Sequence, residues 1–211
     1  MARLGFTAFL LTLVIATGIA TGAAWHRLPH EIADRVAFAP IDLRTGSWHR
    51  LLTSLAFAGG PAAFWKVLAL IAIACGGHEW RTGWRATAVG FTFVQLATLL
   101  AVSAVVLDAT AMGQPWATRV ADTYDVGPSV GCYGCFGMLL GEVSSRWRAA
   151  LVGGYLIVTA LNLSLHLRAF DPVQLASDGE HALAILVGWV CRPRARPALP
   201  EVSPPPTEPT P

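Results

Sequence analysis

Long apolar stretches alternate with short charged turns along the first 192 residues of the chain. A helix needs roughly 20 apolar residues to cross the hydrocarbon core of a bilayer, so stretches of this kind predict membrane-spanning helices. The six stretches occupy residues 5–24, 62–77, 86–107, 129–143, 149–165 and 179–191. The pattern therefore predicts an all-α, polytopic membrane protein, a bundle of six transmembrane helices.

Three segments need separate interpretation. Residues 25–60 form a long loop in which charges surround two apolar patches, so we expect this loop to lie on or in the membrane interface. Residues 193–211 are rich in proline and predict a disordered cytoplasmic tail after a membrane domain of residues 1–192. The first apolar stretch could also be a cleaved signal peptide, because Thr21–Ala24 are small enough for a cleavage site. The long apolar core of that stretch favours a retained helix.

The fourth and sixth stretches are shorter than a full membrane crossing. With a rise of ~1.5 Å per residue, the run from Ser129 to Glu142 covers only ~20 Å of a ~30 Å hydrocarbon core. Such helices must begin inside the membrane, where non-helical backbone is tolerated only if protein surrounds it or water reaches it. We therefore expect a water-filled cavity that opens to one face.

Arginines are distributed unevenly between the two sides that alternate turns define. Cytoplasmic loops carry an excess of basic residues close to the spans. One side has eight, Arg3, Arg81, Arg85, Arg146, Arg148, Arg192, Arg194 and Arg196, whereas the other has six in longer loops, Arg27, Arg35, Arg44, Arg50, Arg119 and Arg168. We therefore predict an integral, multi-pass plasma-membrane protein with both termini in the cytoplasm.

The composition agrees with a membrane protein and excludes some partners. The chain is 54% apolar and 13% charged, against about 25% charged in soluble domains. A net charge of +2 provides no broad basic surface, so nucleic acid is not an expected partner. The four cysteines lie in apolar stretches and predict no disulfide framework. Cys132 and Cys135 have redox or metal spacing, but without a second Cys/His pair we interpret them as packing residues and expect no metal and no cofactor.

Polar side chains at the buried ends of the short helices are candidates for chemistry. Ser129 lies ~20 Å above Glu142, and His181 lies ~16 Å above Arg192, so the two stand at similar depth toward the outer side. A serine and a histidine at one level can form a nucleophile and its general base. The alternative is that Ser129 caps a helix and that His181 is a satisfied core residue. We interpret Asp125 and Asp178 as helix-start caps.

Small residues accompany both candidates. Gly127 precedes Ser129 by two positions and Gly137 follows it by eight, while Gly179, Ala184 and Gly188 surround His181. Small residues on facing helices permit the close approach that a hydrogen bond between the serine and the histidine requires.

This constellation resembles the rhomboid family of intramembrane serine proteases over most of residues 1–192. Rhomboids have a six-span core, a Gly-x-Ser motif at the buried start of the fourth span and a general-base histidine at the head of the sixth. The first-loop segment Trp48-His-Arg50, the pair Gly76-Gly77 and Glu79 also resemble family features. Tyr133 stands where the family often has an aromatic ring packed on the histidine.

The resemblance implies proteolysis of single-span membrane proteins within the lipid bilayer, by a catalytic dyad of Ser129 and His181. Gly127, Tyr133, Gly137, Gly179 and Lys66 are the expected supporting residues. A catalytically inactive, rhomboid-like protein that binds transmembrane clients is the alternative.

The sequence departs from the family pattern at two places. Val130 follows the serine where the family usually has glycine, and the segment Pro61–Leu70 lacks the histidine and asparagine that normally donate to the oxyanion. Loss of one such donor typically costs about two to three orders of magnitude in rate. Backbone amides near Ser129 could replace these donors, and Lys66 could either stabilise the oxyanion or extend to the membrane interface.

Overall fold

The regular secondary structure is helical in the part that the computed structural model describes, residues 4–169 and 171–192. No strand occurs among these residues, and one isolated antiparallel bridge joins Phe38 to Asp125. The prediction of an all-α protein is therefore confirmed. The predicted disordered tail, residues 193–211, lies outside the described residues.

Eleven α-helices occur within the described ranges, and long and short ones are mixed. They are α1 (Gly5–Ala20), α2 (His30–Val36), α3 (Asp42–Thr45), α4 (Arg50–Thr53), α5 (Pro61–Leu70), α6 (Gly76–Thr82), α7 (Trp84–Ala111), α8 (Pro115–Ala121), α9 (Ser129–Glu142), α10 (Ser145–Ala169) and α11 (Pro172–Cys191). A 3-10 turn, Ser54–Ala56, follows α4, and a π-helical segment, Ile71–Cys75, joins α5 to α6.

Two helices are long and apolar enough to cross a membrane, the continuous helix Pro61–Thr82 and α7. Helix α1 is apolar but has only 16 residues, and α9 has 14. Helices α10 and α11 are long enough but more polar. Each of the six predicted spans is helical, yet by length and composition the described residues supply two candidate membrane spans.

Helix α9 lies at the centre of the molecule. It packs against α5, α6, α7, α10 and α11. Most of its residues are buried, since glycines, cysteines and apolar side chains face the neighbouring helices all the way round. Its first residue, Ser129, is therefore in the interior of the fold.

A buried carboxylate anchors the beginning of α1. The Glu79 side chain on α6 accepts hydrogen bonds from the backbone nitrogens of Phe6 and Thr7, at 3.0 and 2.7 Å, and from the Thr7 hydroxyl at 2.6 Å. These amides belong to the first helical turn, which has no partners within its own helix. Glu79 therefore caps α1 and fixes it against α6.

Residues 25–60 are folded onto the bundle and contain α2, α3 and α4. Phe38 and Leu51, from the two apolar patches, are buried in one cluster with residues of α7, α9 and α11. An ion pair of 2.9 Å between Arg50 and Asp42 closes the segment on itself. The segment thereby covers the end of the bundle at which α9 begins.

Candidate active site

Ser129 and His181 lie together where α9 begins. The Ser129 Oγ atom is 3.1 Å from Nε2 of His181, a hydrogen-bond distance. When the imidazole is neutral and protonated at Nδ1, its Nε2 accepts the serine proton, which is the arrangement a general base requires. Ser129 is 9% exposed. We call this pair the dyad.

The segment before α9 is held in an unusual backbone conformation. Gly127 has a φ of 132°, a value that favours glycine, and its backbone nitrogen donates to the Ser54 carbonyl at 3.0 Å. Two residues earlier, Asp125 pairs with Phe38 through backbone hydrogen bonds of 3.0 and 2.8 Å. The first loop thus fixes the position of the chain as it enters Ser129.

Helices α9 and α11 approach each other so closely that their backbones touch. A Cβ atom added to Gly188 would lie 2.1 Å from the Gly134 carbonyl oxygen, and one added to Gly137 would lie 2.2 Å from that of Ile185. Glycine is required at both positions, and the contact brings His181 to Ser129. Gly179 does not take part, because nothing lies within 4 Å of a Cβ at that position.

Tyr133 packs against the imidazole of His181, with ring centroids 4.3 Å apart. Its ring also contacts Tyr155 of α10 edge-on, at a centroid distance of 6.1 Å. Tyr133 therefore lies next to the histidine, where the family resemblance implied an aromatic ring. The contact restricts the orientation of the imidazole.

Backbone amides in the first turn of α9 are the nearest donors for an oxyanion. The N–H groups of Ser129 and Val130 have no acceptor among the described residues. The next amide, that of Gly131, donates to Oε1 of Gln95 on α7 at 2.6 Å and is occupied. Gln95 is fully buried and was not identified from the sequence, although an amide side chain inside an apolar stretch is the signal that could have indicated it.

Neither aspartate caps the start of α9 or α11, and Lys66 makes no hydrogen bond to the dyad. Lys66 is exposed on α5 and makes no hydrogen bond or ion pair within the described part of the chain. The Asp125 carboxylate accepts from its neighbour Val126 and does not cap α9. Helix α11 begins at Pro172 and is capped by Asp171, so the interpretation of Asp178 as a helix-start cap is wrong.

The alternative reading of Ser129 as a helix cap is also wrong. No side chain caps the first turn of α9, and the serine hydroxyl bonds to the imidazole instead. Three cysteines are buried near the dyad helix, and the Cys75 and Cys132 sulfurs are 3.7 Å apart as free thiols. Residues 4–169 and 171–192 contain no group of three or more His, Cys, Asp or Glu side chains arranged to hold a metal ion.

The site and the fold define a class: an all-α protein with two candidate membrane spans and a buried serine, at the start of a central helix, that is hydrogen-bonded to a half-buried histidine. No protein-family model, curated protein or solved structure matches the chain. The chemistry of the dyad must therefore be argued from its own geometry. A serine hydroxyl with a neighbouring neutral imidazole can attack a carbonyl carbon.

Proposed function

We propose that this protein is a rhomboid-like intramembrane serine protease that cleaves transmembrane proteins, with Ser129 as nucleophile and His181 as general base. The observation that carries the proposal is the 3.1 Å contact between Ser129 Oγ and His181 Nε2 across two helices. Nucleophile and base within hydrogen-bond reach are the signature of covalent catalysis. The glycine contacts that bring the two helices together support the same conclusion.

The outer surface of the bundle supports six spans rather than two. Large apolar side chains are exposed on α1, α7, α10 and α11, including Phe9, Phe93, Leu156 and Val190, at 52–81% of their area. A soluble monomer rarely exposes contiguous apolar surface on this scale. Contact with lipid would account for the outward-facing apolar residues of α1, α10 and α11, although these helices are too short or too polar to count as spans by themselves.

All eight tryptophans are exposed and fall into two groups. Tryptophan is enriched at both interfaces of a membrane, where its ring sits at headgroup level. One group is near the dyad end, Trp25, Trp48, Trp65 and Trp116, and the other is at the opposite end, Trp80, Trp84, Trp147 and Trp189. Two such belts agree with a bundle that crosses the bilayer.

The proposed reaction follows from the geometry. His181 Nε2 takes the proton of Ser129 as the oxygen attacks the peptide carbonyl, and the amides of Ser129 and Val130 donate to the oxyanion. The imidazolium then gives its proton to the leaving amine. This amine is the new amino terminus of the carboxy-terminal product, which departs. Water, deprotonated by His181, hydrolyses the acyl-enzyme and restores the serine.

A rhomboid-like protein that binds transmembrane clients without cutting them is the second candidate. One observation favours it: α5 presents no histidine or asparagine to the dyad, and its only cation, Lys66, is exposed. Among the described residues, the two free amides of α9 are then the remaining candidates for oxyanion donors. An enzyme with fewer donors would be slow, and a binder would need none.

Serine labelling separates the two candidates. We expect the full-length protein in detergent to react with a fluorophosphonate probe and to cut at least one of a panel of transmembrane substrates after reconstitution in lipid. Ser129→Ala and His181→Ala should each abolish both signals, and the double variant should be no worse, because the two residues act as one unit. Ser144→Ala, at an exposed serine beyond the far end of α9, should label like the wild type.

Folded wild-type protein that neither labels nor cuts any substrate would exclude the protease. Client binding that persists in Ser129→Ala would then support the second candidate.

A further inference from the structure

A cavity of about 220 Å³ lies between the first turns of α11, the second half of α7, the end of α8 and the segment that leads into α9. Two of its lining residues adjoin the dyad in sequence: Glu180 precedes His181, and Asp125 precedes Ser129 by four positions. Sites for whole small molecules usually measure ~300–1,000 Å³. This cavity is of a size for a single side chain.

Glu180 is the group in the cavity that lacks a partner. It is 9% exposed and makes no hydrogen bond or ion pair with any residue that the structure describes. A buried carboxylate without a partner is costly, and an ionisable group at membrane depth indicates function. The second carboxylate in the cavity, Asp125, is bonded only through Oδ1, to the Val126 amide.

The nearby cations are engaged elsewhere or lie outside this cavity. Arg50 lies over the ring of Tyr124, 5.6 Å from its centroid, but its guanidinium is paired with Asp42. Lys66 lines a separate cavity, which shares the walls Tyr124 and Gln174 with this one. Within the described ranges, no cation forms an ion pair with Asp125 or Glu180, although the charge of Lys66 acts on Asp125 from the neighbouring cavity.

We propose that this cavity binds the side chain of a lysine or arginine close to the scissile bond of the substrate. The inference rests on the proposed protease activity and names its substrates: membrane proteins with a basic residue at the cleavage region. Successive helical residues point about 100° apart, so His181 faces α9 while Glu180 faces α7. An extended chain advances ~3.3–3.6 Å per residue, so a long side chain one or two residues from the bond can reach Glu180.

A matched set of substrates tests the proposal. One cleaved transmembrane substrate is varied so that lysine or glutamine occupies each position from three before to three after the bond. We expect lysine at one position to raise kcat/KM at least ~10-fold over glutamine, because a buried charge-assisted hydrogen bond is strong. Glu180→Gln and Asp125→Asn should reduce this ratio toward one, whereas Asp122→Asn, at an exposed carboxylate outside the cavity, should retain it.

Binding to the full-length Ser129→Ala variant gives a readout that does not need turnover. The better lysine peptide should bind at least ~10-fold more tightly than its glutamine partner, and adding Glu180→Gln should remove the difference. If the wild type cuts both substrates equally at every position, or if the preference survives in Glu180→Gln, the proposal is wrong while the protease stands. If the preference for lysine substrates appears only in Lys66→Met, the site is filled by Lys66 in the wild type. That result would also overturn the proposal.

If nothing is cut, the protease is wrong. Charge-dependent binding to Ser129→Ala would then still support the cavity as a basic side-chain site in a client binder, and its absence would overturn that too.

Discussion

Gln95, on α7, fixes the first turn of α9 through a hydrogen bond to its backbone. Its side-chain oxygen accepts a hydrogen bond from the Gly131 amide at 2.6 Å, and the Ser129 and Val130 amides are the donors of that turn that have no acceptor among the described residues. A single neutral side chain thus determines which donors of the turn are occupied. A substitution of Gln95 therefore measures how much this hydrogen bond contributes to stability.

We predict that Gln95→Leu lowers the free energy of unfolding by about 1–3 kcal/mol, because the buried Gly131 amide loses its acceptor. Thermal unfolding of the purified protein in detergent measures the change. Thr98→Val is the matched control, on the same helix and equally buried. The Thr98 hydroxyl has no hydrogen-bond partner in the described structure, so its removal should be neutral or stabilising. Equal losses in the two variants would contradict the role assigned to Gln95.

The polar residues of the site were only partly predictable. Ser129 and His181 could be found because the number of residues between each of them and a charged helix end gives its depth in the membrane. Gln95 could not be found by a search for ionisable groups, since it carries no charge. The backbone pairing of Phe38 with Asp125 joins residues far apart in the chain, and no local pattern indicates it.

The contact between α9 and α11 determines the geometry of the dyad at the scale of helices. The two helices meet through their backbones at three glycines, Gly134, Gly137 and Gly188. No side chains separate the helices at these positions. We therefore expect a displacement of either helix to change the distance between Ser129 and His181. Small residues are common at interfaces of this kind in membranes.

We predict that Gly188→Ala lowers serine labelling by ~10²-fold or more, because an added Cβ would meet the Gly134 carbonyl at 2.1 Å and force the helices apart. Its cost in unfolding free energy should be about 1–3 kcal/mol. Gly179→Ala on the same helix has open space around the new methyl group and should label and unfold like the wild type. Labelling that is unchanged in Gly188→Ala would show that the dyad does not depend on this contact.

The pattern of apolar residues predicted the start of α9 correctly but not the start of α11. The start of α9 at Ser129 coincides with the start of an apolar stretch, and the sequence located it. The first turns of α11 carry Gln174, Ser177, Asp178 and Glu180, so the pattern resembled a loop and the helix was expected to begin at residue 179. The Asp171-Pro172 pair, a capping residue before a proline at the first helical position, is the signal that marks the true start.

At the scale of the whole molecule, the ends of several helices are joined on the side opposite the dyad. Arg81, at the end of α6, donates to the Glu142 carbonyl at the end of α9, and Glu79 holds the beginning of α1. A Cβ on Gly141 would meet the Arg192 side chain, which brings the end of α11 to the same level. This end of the bundle also carries Trp80 and Trp147, whose rings suit a headgroup layer.

The arginines at that end predict an orientation of the bundle in the membrane. Because basic residues close to the spans remain in the cytoplasm, we predict that reporters fused after Arg85 or Arg148 report a cytoplasmic location and that one fused after Asp122 reports an external one. Paired reporters make the test symmetric: a fluorescent protein that matures only inside, and a phosphatase that is active only outside. The dyad would then open toward the external side, where water and the outer ends of substrates are found. An external signal after Arg148 would contradict both the six-span arrangement and the assigned orientation, even if the helices pack as described.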